Sequence, residues 1–412
     1  MLKGEKRMAK SALEGLIVLD LTQFESGTVC TQTLAWLGAT VIKLERPGTG
    51  EQGRGASLDQ KGADSYGFIL LNCNKKSVTV DLKKPEGRDL VYRLVEKADI
   101  LVENFGPGVV EKLGLDYETL SGINPRLIYA QIKGFGSDGP YADFPAFDAI
   151  GQATGVVMSV TGEKDGPPMH AGINLADSGA GYHCAIAILA AVVQRYKTGL
   201  GQRIEVAMQD VMINFSRSCW FRQFMTGKPA PRVGNEMPMA EVSPCNVYPC
   251  KGGGENDYVF IYTSRVPGSP QWKRLLKVIG RTDLLDDPRF ATPESRYRHR
   301  DEVDRIISEW TVNYTKHEAM EILGRAGVPA GAVLSTEDIS NDEYLRKRGT
   351  MVEIDHPVRG RLVIPGSSFH LSASHVEIEP APLLGQHNDE VYKGLLGLSD
   401  EEMKELSEAG II

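Results

Sequence analysis

Short apolar runs that close on a polar residue alternate with segments of helical period through the first half of the chain. Residues 15–21 read as a buried strand, 29–37 as a helix and 38–45 as a second strand. The pattern recurs, with strands at 77–82, 98–104 and 127–133, a helix at 85–97 that carries proline in its first turn, and a short helix near 109–113. Alternation of this kind predicts parallel strands joined by right-handed crossovers. The expected fold class is α/β, with a doubly wound, Rossmann-like large domain whose ligands lie at the carboxyl ends of the strands.

Further along, residues 185–193 are almost continuously apolar and predict a buried helix, followed by a strand at 203–208 and a helix at 209–225. The Pro/Gly-rich stretch after Gly227 reads as a boundary. Beyond it a strand at 258–262 and helical pieces at 269–280, 288–290, 298–310 and 316–326 suggest a smaller α+β domain. Strands near 328–333 and 352–354, an extended piece at 362–365 and helices at 389–396 and 400–409 complete the chain. The expected division is 1–225 (large domain), 226–335 (small domain with linkers) and 336–412 (returning to the large domain), because 412 residues exceed one ordinary core.

The apolar helix gives one carboxylate a special setting. Asp177 stands at or next to its N-cap, and Ser178-Gly179-Ala180-Gly181 follows. One reading makes Asp177 a simple cap, since aspartate is among the best N-cap residues. The other makes it a reactive carboxylate, kept ionised by backbone N–H groups and facing a gap that the small residues leave open.

Composition narrows the classes. A net charge of −8 argues against nucleic-acid or membrane-surface partners. The longest apolar run is too short to span a bilayer. The first ten residues are charged and lack the apolar stretch of a secretory signal. Six scattered cysteines form no CxxC pair, which suggests a reducing cytoplasm and no metal site. Gly48-Thr-Gly-Glu-Gln-Gly53 matches a dinucleotide fingerprint, but it follows the second strand and opens no helix, so it reads as a Gly-rich loop. His170 and His183 flank Asp177 without a paired nucleophile and read as structural. Lys43, Arg46, Lys75, Lys76, Lys83 and Lys112 fall near strand ends and are candidates for a cationic patch that would suit a phosphate-bearing ligand.

Seven stretches together carry a resemblance. They are residues 19–46, 72–77, 81–87, 102–108, 176–183, 195–202 and 381–391, which include Val102-Glu-Asn-Phe-Gly-Pro-Gly108 and Ala176-Asp-Ser-Gly-Ala-Gly-Tyr-His183. The chain resembles the class III CoA-transferases (CaiB/BaiF family), and within them the formyl-CoA:oxalate transferases most. The resemblance implies that Asp177 is the nucleophile. It implies coenzyme A contacts at Glu25, Ser26, Arg46, Val80, Asp81, Leu82, Lys83, Asn104, Phe105, Gly106 and Lys112. It also implies an interlocked homodimer, an acyl-CoA and a free carboxylic acid as substrates, and no cofactor beyond coenzyme A itself.

The expected chemistry moves CoA through an aspartyl-acyl anhydride and an aspartyl-CoA thioester on Asp177. Departures from the oxalate pattern are Glu25 for Gln, Ala56 for an aromatic residue, Gly67 and Phe147 for tyrosines, and Pro238–Pro244 in place of a mobile glycine loop. They imply an acceptor larger than oxalate. Rival readings are the oxalate-type transferase proper, a 2-methylacyl-CoA racemase and a non-catalytic CoA-binding subunit. The racemase branch needs a His where Phe147 stands, before Asp148.

Overall fold

The computed structural model describes residues 11–264, 266 and 268–412. The charged N-terminal stretch read above as lacking a secretory signal lies outside the described residues. The chain forms two compact units. The larger comprises residues up to Val156, Ala171–Phe215 and Glu343–Ile412, and the smaller comprises Val157–His170 and Ser216–Asp342. The breaks thus fall after residues 215 and 342, where the sequence pattern expects 225 and 335, and residues 157–170 join the smaller unit.

In the larger unit β1 (Ile17–Asp20), β2 (Thr40–Glu45), β3 (Lys75–Thr79), β4 (Ile100–Glu103), β5 (Ile128–Lys133) and β6 (Gln202–Ala207) make one sheet. Its order is β3-β2-β1-β4-β5-β6, and every neighbouring pair is parallel. The smaller unit holds β7 (Cys245–Pro249), β8 (Tyr258–Tyr262) and β9 (Ala330–Ala332) as an antiparallel sheet. The C-terminal return, which begins at Glu343, contains a hairpin of β10 (Met351–His356) and β11 (Gly360–Pro365). The architecture is mixed α/β, and the order reverses between β1 and β4, where doubly wound sheets bind ligands.

The first nine helices are α1 (Ser26–Trp36), α2 (Tyr66–Leu71), α3 (Pro85–Val95), α4 (Val109–Leu113), α5 (Tyr117–Ile123), α6 (Asp148–Thr154), α7 (Val157–Val160), α8 (Leu175–Thr198) and α9 (Met208–Phe215), of which α7 belongs to the smaller unit and the rest to the larger. Several differ from the pattern. The helix expected at 209–225 breaks into α9, a 3-10 turn at Ser216–Cys219 and a second helix at Trp220–Thr226. The piece expected at 288–290 is not helical, and α2, α6 and β7 carry too weak a period to predict.

α1 is buried on nearly all sides although it is rich in threonine. Its polar groups are satisfied locally: Thr33 donates to Val29 O (2.8 Å), Thr31 to Asp20 Oδ2 (2.8 Å) and Gln32 to Leu70 O (2.9 Å). α8 is buried on one face only, contrary to expectation. Ile186, Val193 and Tyr196 are exposed, while Ala180, Cys184, Ile188 and Arg195 are buried. At 24 residues it is long and apolar enough to cross a membrane by composition. It packs on α1, α9, β5 and β6, and its Arg195 pairs with Asp99 at 2.8 Å, the features of a core helix.

Two buried polar networks tie β1, β2 and β3 to one another and to the loops beside them. Asp20, fully buried, accepts from Lys75 Nζ at 3.0 Å and lies 3.9 Å from Lys43 Nζ. Lys75 also donates to Thr31 Oγ1 (2.8 Å) and Asn72 Oδ1 (2.9 Å), and Lys43 donates to Thr22 O (2.7 Å). Burial alone would raise the Asp20 carboxyl, but Lys43, Lys75 and Thr22 bring it down to about 2. In the second network Arg54 forks onto Glu45 (2.6 and 2.8 Å) and reaches Asp64 (2.8 Å) and Pro382 O (2.9 Å). This pins the Gly48–Gly53 loop. Gly50, at φ +70°, lies against the Arg54 side chain, so the glycines serve a tight turn and no helix opens there.

The C-terminal segment closes the sheet edge. Asn388 Oδ1 accepts from Thr79 N (2.9 Å), Tyr392 Oη donates to Thr79 O (2.8 Å), and His387 N donates to Ser77 O (2.9 Å). Residues 381–391, one of the stretches that carry the family resemblance, therefore cover an otherwise open edge strand.

Replacing Lys75 by Met should cost about 3 kcal/mol in urea unfolding, because it strips the nearest cation from a buried carboxylate. The Asp20 carboxyl is held low, so its contribution is present at neutral pH and fades as pH falls from 3.8 towards 2. A loss below about 1 kcal/mol would show that Lys43 alone suffices.

Candidate active site

A cleft of about 530 Å³ opens at the carboxyl ends of β1–β4. Of the residues expected to contact coenzyme A, it is lined by Arg46, Val80, Asp81, Leu82, Lys83 and Phe105. Thr22, Gln23, Glu51 and Gln52 line it too, so the Gly-rich loop forms one wall. Glu25, Ser26, Asn104, Gly106 and Lys112 are not in the lining. Asn104 instead fastens the loop after β1, accepting from Gln23 N (2.8 Å) and donating to Gln23 O (2.8 Å) and Ser26 Oγ (3.1 Å). Lys112 is exposed on α4, whose Val109 and Leu113 face the cleft. The cationic patch expected from the sequence is thinner than the lysine count suggests. Lys43 and Lys75 are consumed by Asp20, and Lys76 pairs with Glu390, which leaves Arg46 and Lys83.

Asp177 is not at the N-cap of α8. Asn174 is the cap residue, and Asp177 is the third residue of the helix, half-buried. The helix terminus is capped from elsewhere: Asp148 Oδ1, from the first residue of α6, accepts from Ala176 N (2.7 Å) and Asp177 N (3.2 Å). Gln152 holds Asp148 in place, donating to its Oδ2 at 2.6 Å and to Ile173 O at 3.1 Å. On the other side Glu25, the residue before α1, reaches across to α8. Its carboxylate accepts from Ser178 Oγ (2.7 Å) and from Asn174 Nδ2, bracketing Asp177. The backbone turns sharply to allow this, with Phe24 at φ 54°, an uncommon conformation for a bulky residue.

Three carboxylates therefore converge at the start of α8. Among the described residues no group of three or more His, Cys, Asp and Glu side chains is placed to hold a metal ion. Burial, then Glu25, then Asp148 push the Asp177 carboxyl up from 3.8 to about 7. The helix N-terminus does not hold it ionised, because the N–H groups that would do so are engaged by Asp148.

The small residues after Asp177 also have a different role from the one expected. A Cβ on Gly181 would lie 2.6 Å from Ser26 O, and one on Gly179 would lie 2.8 Å from the Phe215 ring. The glycines let α8 approach α1 and α9; they do not open a gap for substrate. His183 is structural, with Nδ1 bonded to Gly179 O at 2.9 Å and its ring against Phe215. His170 belongs to the smaller unit. Sequence reasoning missed Asp148, although the Phe147-Asp148 step was the place to look.

A doubly wound sheet, a cleft at its switch point and a half-buried carboxylate of raised basicity on a neighbouring helix define an α/β enzyme with a group poised for chemistry. The chain belongs to CoA-transferase family III, whose family model matches residues 13–388, and it is a CoA-transferase. It is 41% identical to a formyl-CoA:oxalate CoA-transferase of Rhodopseudomonas palustris (strain HaA2), over 97% of each chain. It is 43% identical to one of Streptomyces avermitilis, over 97% of this chain and 99% of that one. A CaiB/BaiF family protein from Brucella suis superposes with a TM-score of 0.82 at 33% identity, over 94% of this chain and 100% of that one.

Because the folded Asp177 carboxyl sits near 7 and the unfolded one near 3.8, the folded state loses stability as pH rises between those values. Asp177→Asn, a neutral isostere, should therefore raise Tm at pH 8 and leave it nearly unchanged at pH 4. Equal shifts at both pH values would show that Asp177 is not the strained charge.

Proposed function

We propose that the enzyme moves CoA from an acyl-CoA thioester to a free carboxylic acid with Asp177 as the covalent nucleophile. The observation that carries this is the setting of Asp177. Its carboxyl, raised to about 7, titrates in the neutral range, and it stands beside a loop that also forms the wall of the strand-end cleft. Arg46 and Lys83 suit the phosphates of CoA, and Val80, Leu82 and Phe105 suit its apolar portions.

In the first step an Asp177 oxygen attacks the thioester carbonyl. The C–S bond breaks, and CoA leaves as the thiolate, which takes up the negative charge. The thiolate then attacks the aspartyl carbonyl of the mixed anhydride, the C–O bond breaks, and the donor acid departs as a carboxylate. An acceptor carboxylate reverses these two steps on the aspartyl-CoA thioester. Division into two exchanges avoids hydrolysis as long as water is excluded.

For the acceptor we infer a monocarboxylic acid larger than oxalate. Glu25 and Asp148 already surround Asp177 with negative charge, which disfavours a dianion. Ala56 and Gly67 present little side chain. The competing assignment is the oxalate activity named for the relatives of Rhodopseudomonas and Streptomyces. We also infer an interlocked homodimer, supported by the exposed apolar stripe of α8, and a cytoplasmic setting, supported by six free thiols.

Incubation with a panel of acyl-CoA and acid pairs, read by intact-protein mass, should show an acyl-dependent adduct that hydroxylamine discharges. Asp177→Ala should lose the adduct and at least about 10³-fold of turnover. Full activity in that variant would refute the mechanism. Oxalate as the best acceptor in the panel would refute the inferred acid.

A further inference from the structure

The carboxylates on either side of Asp177 do not touch the cleft, and the covalent route gives them no chemical step. They are built with care nonetheless. Glu25 is held by two donors at the start of α8, its cap residue Asn174 and Ser178, one on each side of Asp177 in sequence. Asp148 is fixed by a fully buried Gln152 and shares the backbone N–H of Asp177. Evenly spread negative charge at a helix N-terminus would need nothing more than a cap. Here two carboxylates from separate segments, the residue before α1 and the first residue of α6, are bonded to the residues that flank Asp177 and to its own N–H.

We propose that Glu25 and Asp148 are positioning residues whose charge disfavours the free Asp177 carboxylate and thereby favours its covalent acyl and CoA forms. This rests on the reading of Asp177 as nucleophile. The logic is charge balance. When Asp177 attacks a thioester, its negative charge leaves with CoA thiolate and, after the second exchange, with the released acid in solution. The aspartyl-CoA thioester that remains is neutral at the aspartyl group. Repulsion from Glu25 and Asp148 is present before reaction and absent after it, so the two residues lift the starting state and leave the intermediate untouched.

The same repulsion, acting on proton binding instead of acyl binding, accounts for part of the rise of the Asp177 carboxyl, burial being the larger cause. A neutral acyl group and a proton remove the same charge from the same oxygen pair. Among the described residues, the other elements packed on α8 add no counter-charge. α9 presents Val211 and Phe215 to Gly179. The charged residues of β5 and β6 are engaged elsewhere, Lys133 with Glu103 at 2.8 Å and Arg203 with Glu205 at 3.7 Å. On α8 itself Tyr182 lies near Glu25; the surrounding burial and that charge raise its hydroxyl. His183 is turned to Gly179 O.

Glu25→Gln is the primary variant, because glutamine keeps the shape and can still bond Asn174 and Ser178. Asp148→Asn is the second. The enzyme is incubated at pH 8, where Asp177 is ionised, with acyl-CoA and a fixed excess of its free acid, and the aspartyl-CoA fraction is read by intact-protein mass. Each variant should lower the equilibrium ratio of adduct to free enzyme by roughly tenfold. Each should also move the rising limb of the pH–rate profile about one unit to lower pH, with KM for the acyl-CoA little changed. A merely structural role would lower Tm or raise KM and leave the limb where it is. If the wild type forms an adduct on Asp177 and both variants match it in ratio and pH profile, the electrostatic role is overturned and the nucleophile stands. If the wild type forms no adduct that Asp177→Ala lacks, both fall.

Discussion

The buried ion network of Asp20, Lys43 and Lys75 is the constraint on which the rest of this structure depends. It links the last residue of β1, the middle of β2 and the first residue of β3, and it satisfies Thr22 O, Thr31 Oγ1 and Asn72 Oδ1. An isolated carboxylate or ammonium could not be buried at this depth; the three are tolerable only as a set. The set in turn fixes the first turn of α1 and the loop before it. From that loop Gln23 faces the cleft and Glu25 reaches α8. A network that looks like sheet chemistry is therefore the foundation of the active-site wall. Removing its charges would shift Gln23 and Glu25, although none of the three residues lines the cleft.

Much of the fold is legible in the sequence, for an identifiable reason. β1, β2, β4 and β5 are short apolar runs, and a parallel sheet buried on both faces leaves that signature. The apolar pattern places β3 two residues late because its first residues are lysines. Lys75 enters the strand only because Asp20 waits for it 55 positions away. The helical period of α1 starts three residues late for a similar reason: its threonines look like loop, and only their hydrogen bonds to α1's own carbonyls and to Asp20 make them core. Such exchanges of local preference for tertiary contact have no period to detect.

The site divides in the same way. Asp177 is visible because a carboxylate at the head of a long apolar helix is a local pattern. Its partners are not, since Asp148 acts across 28 positions and Glu25 across 153. Gly179 and Gly181 are visible but ambiguous. Nothing in one sequence tells a glycine that admits a ligand from one that admits a neighbouring helix. A side chain at either position would collide, its Cβ falling 2.8 Å from Phe215 or 2.6 Å from Ser26 O, and that settles the matter in favour of packing.

The capping of α8 carries the last consequence. A carboxylate in the first turn of a helix is ordinarily stabilised by the free N–H groups there, and such stabilisation would make Asp177 a weaker base and a weaker nucleophile. Asp148 takes those N–H groups first, from a different helix. The helix end is satisfied, as stability requires, by a residue other than Asp177. Asp177 is left in a half-buried position with like charges on both sides and no compensating donor of its own among the described hydrogen bonds. A protein gains nothing in stability from that arrangement, and selection for stability alone would replace Asp177 or neutralise Glu25. Gln152, Asn174 and Ser178 are nonetheless spent on holding Asp148 and Glu25 still beside Asp177, an arrangement that helix stability does not require and that fits the nucleophile proposed above.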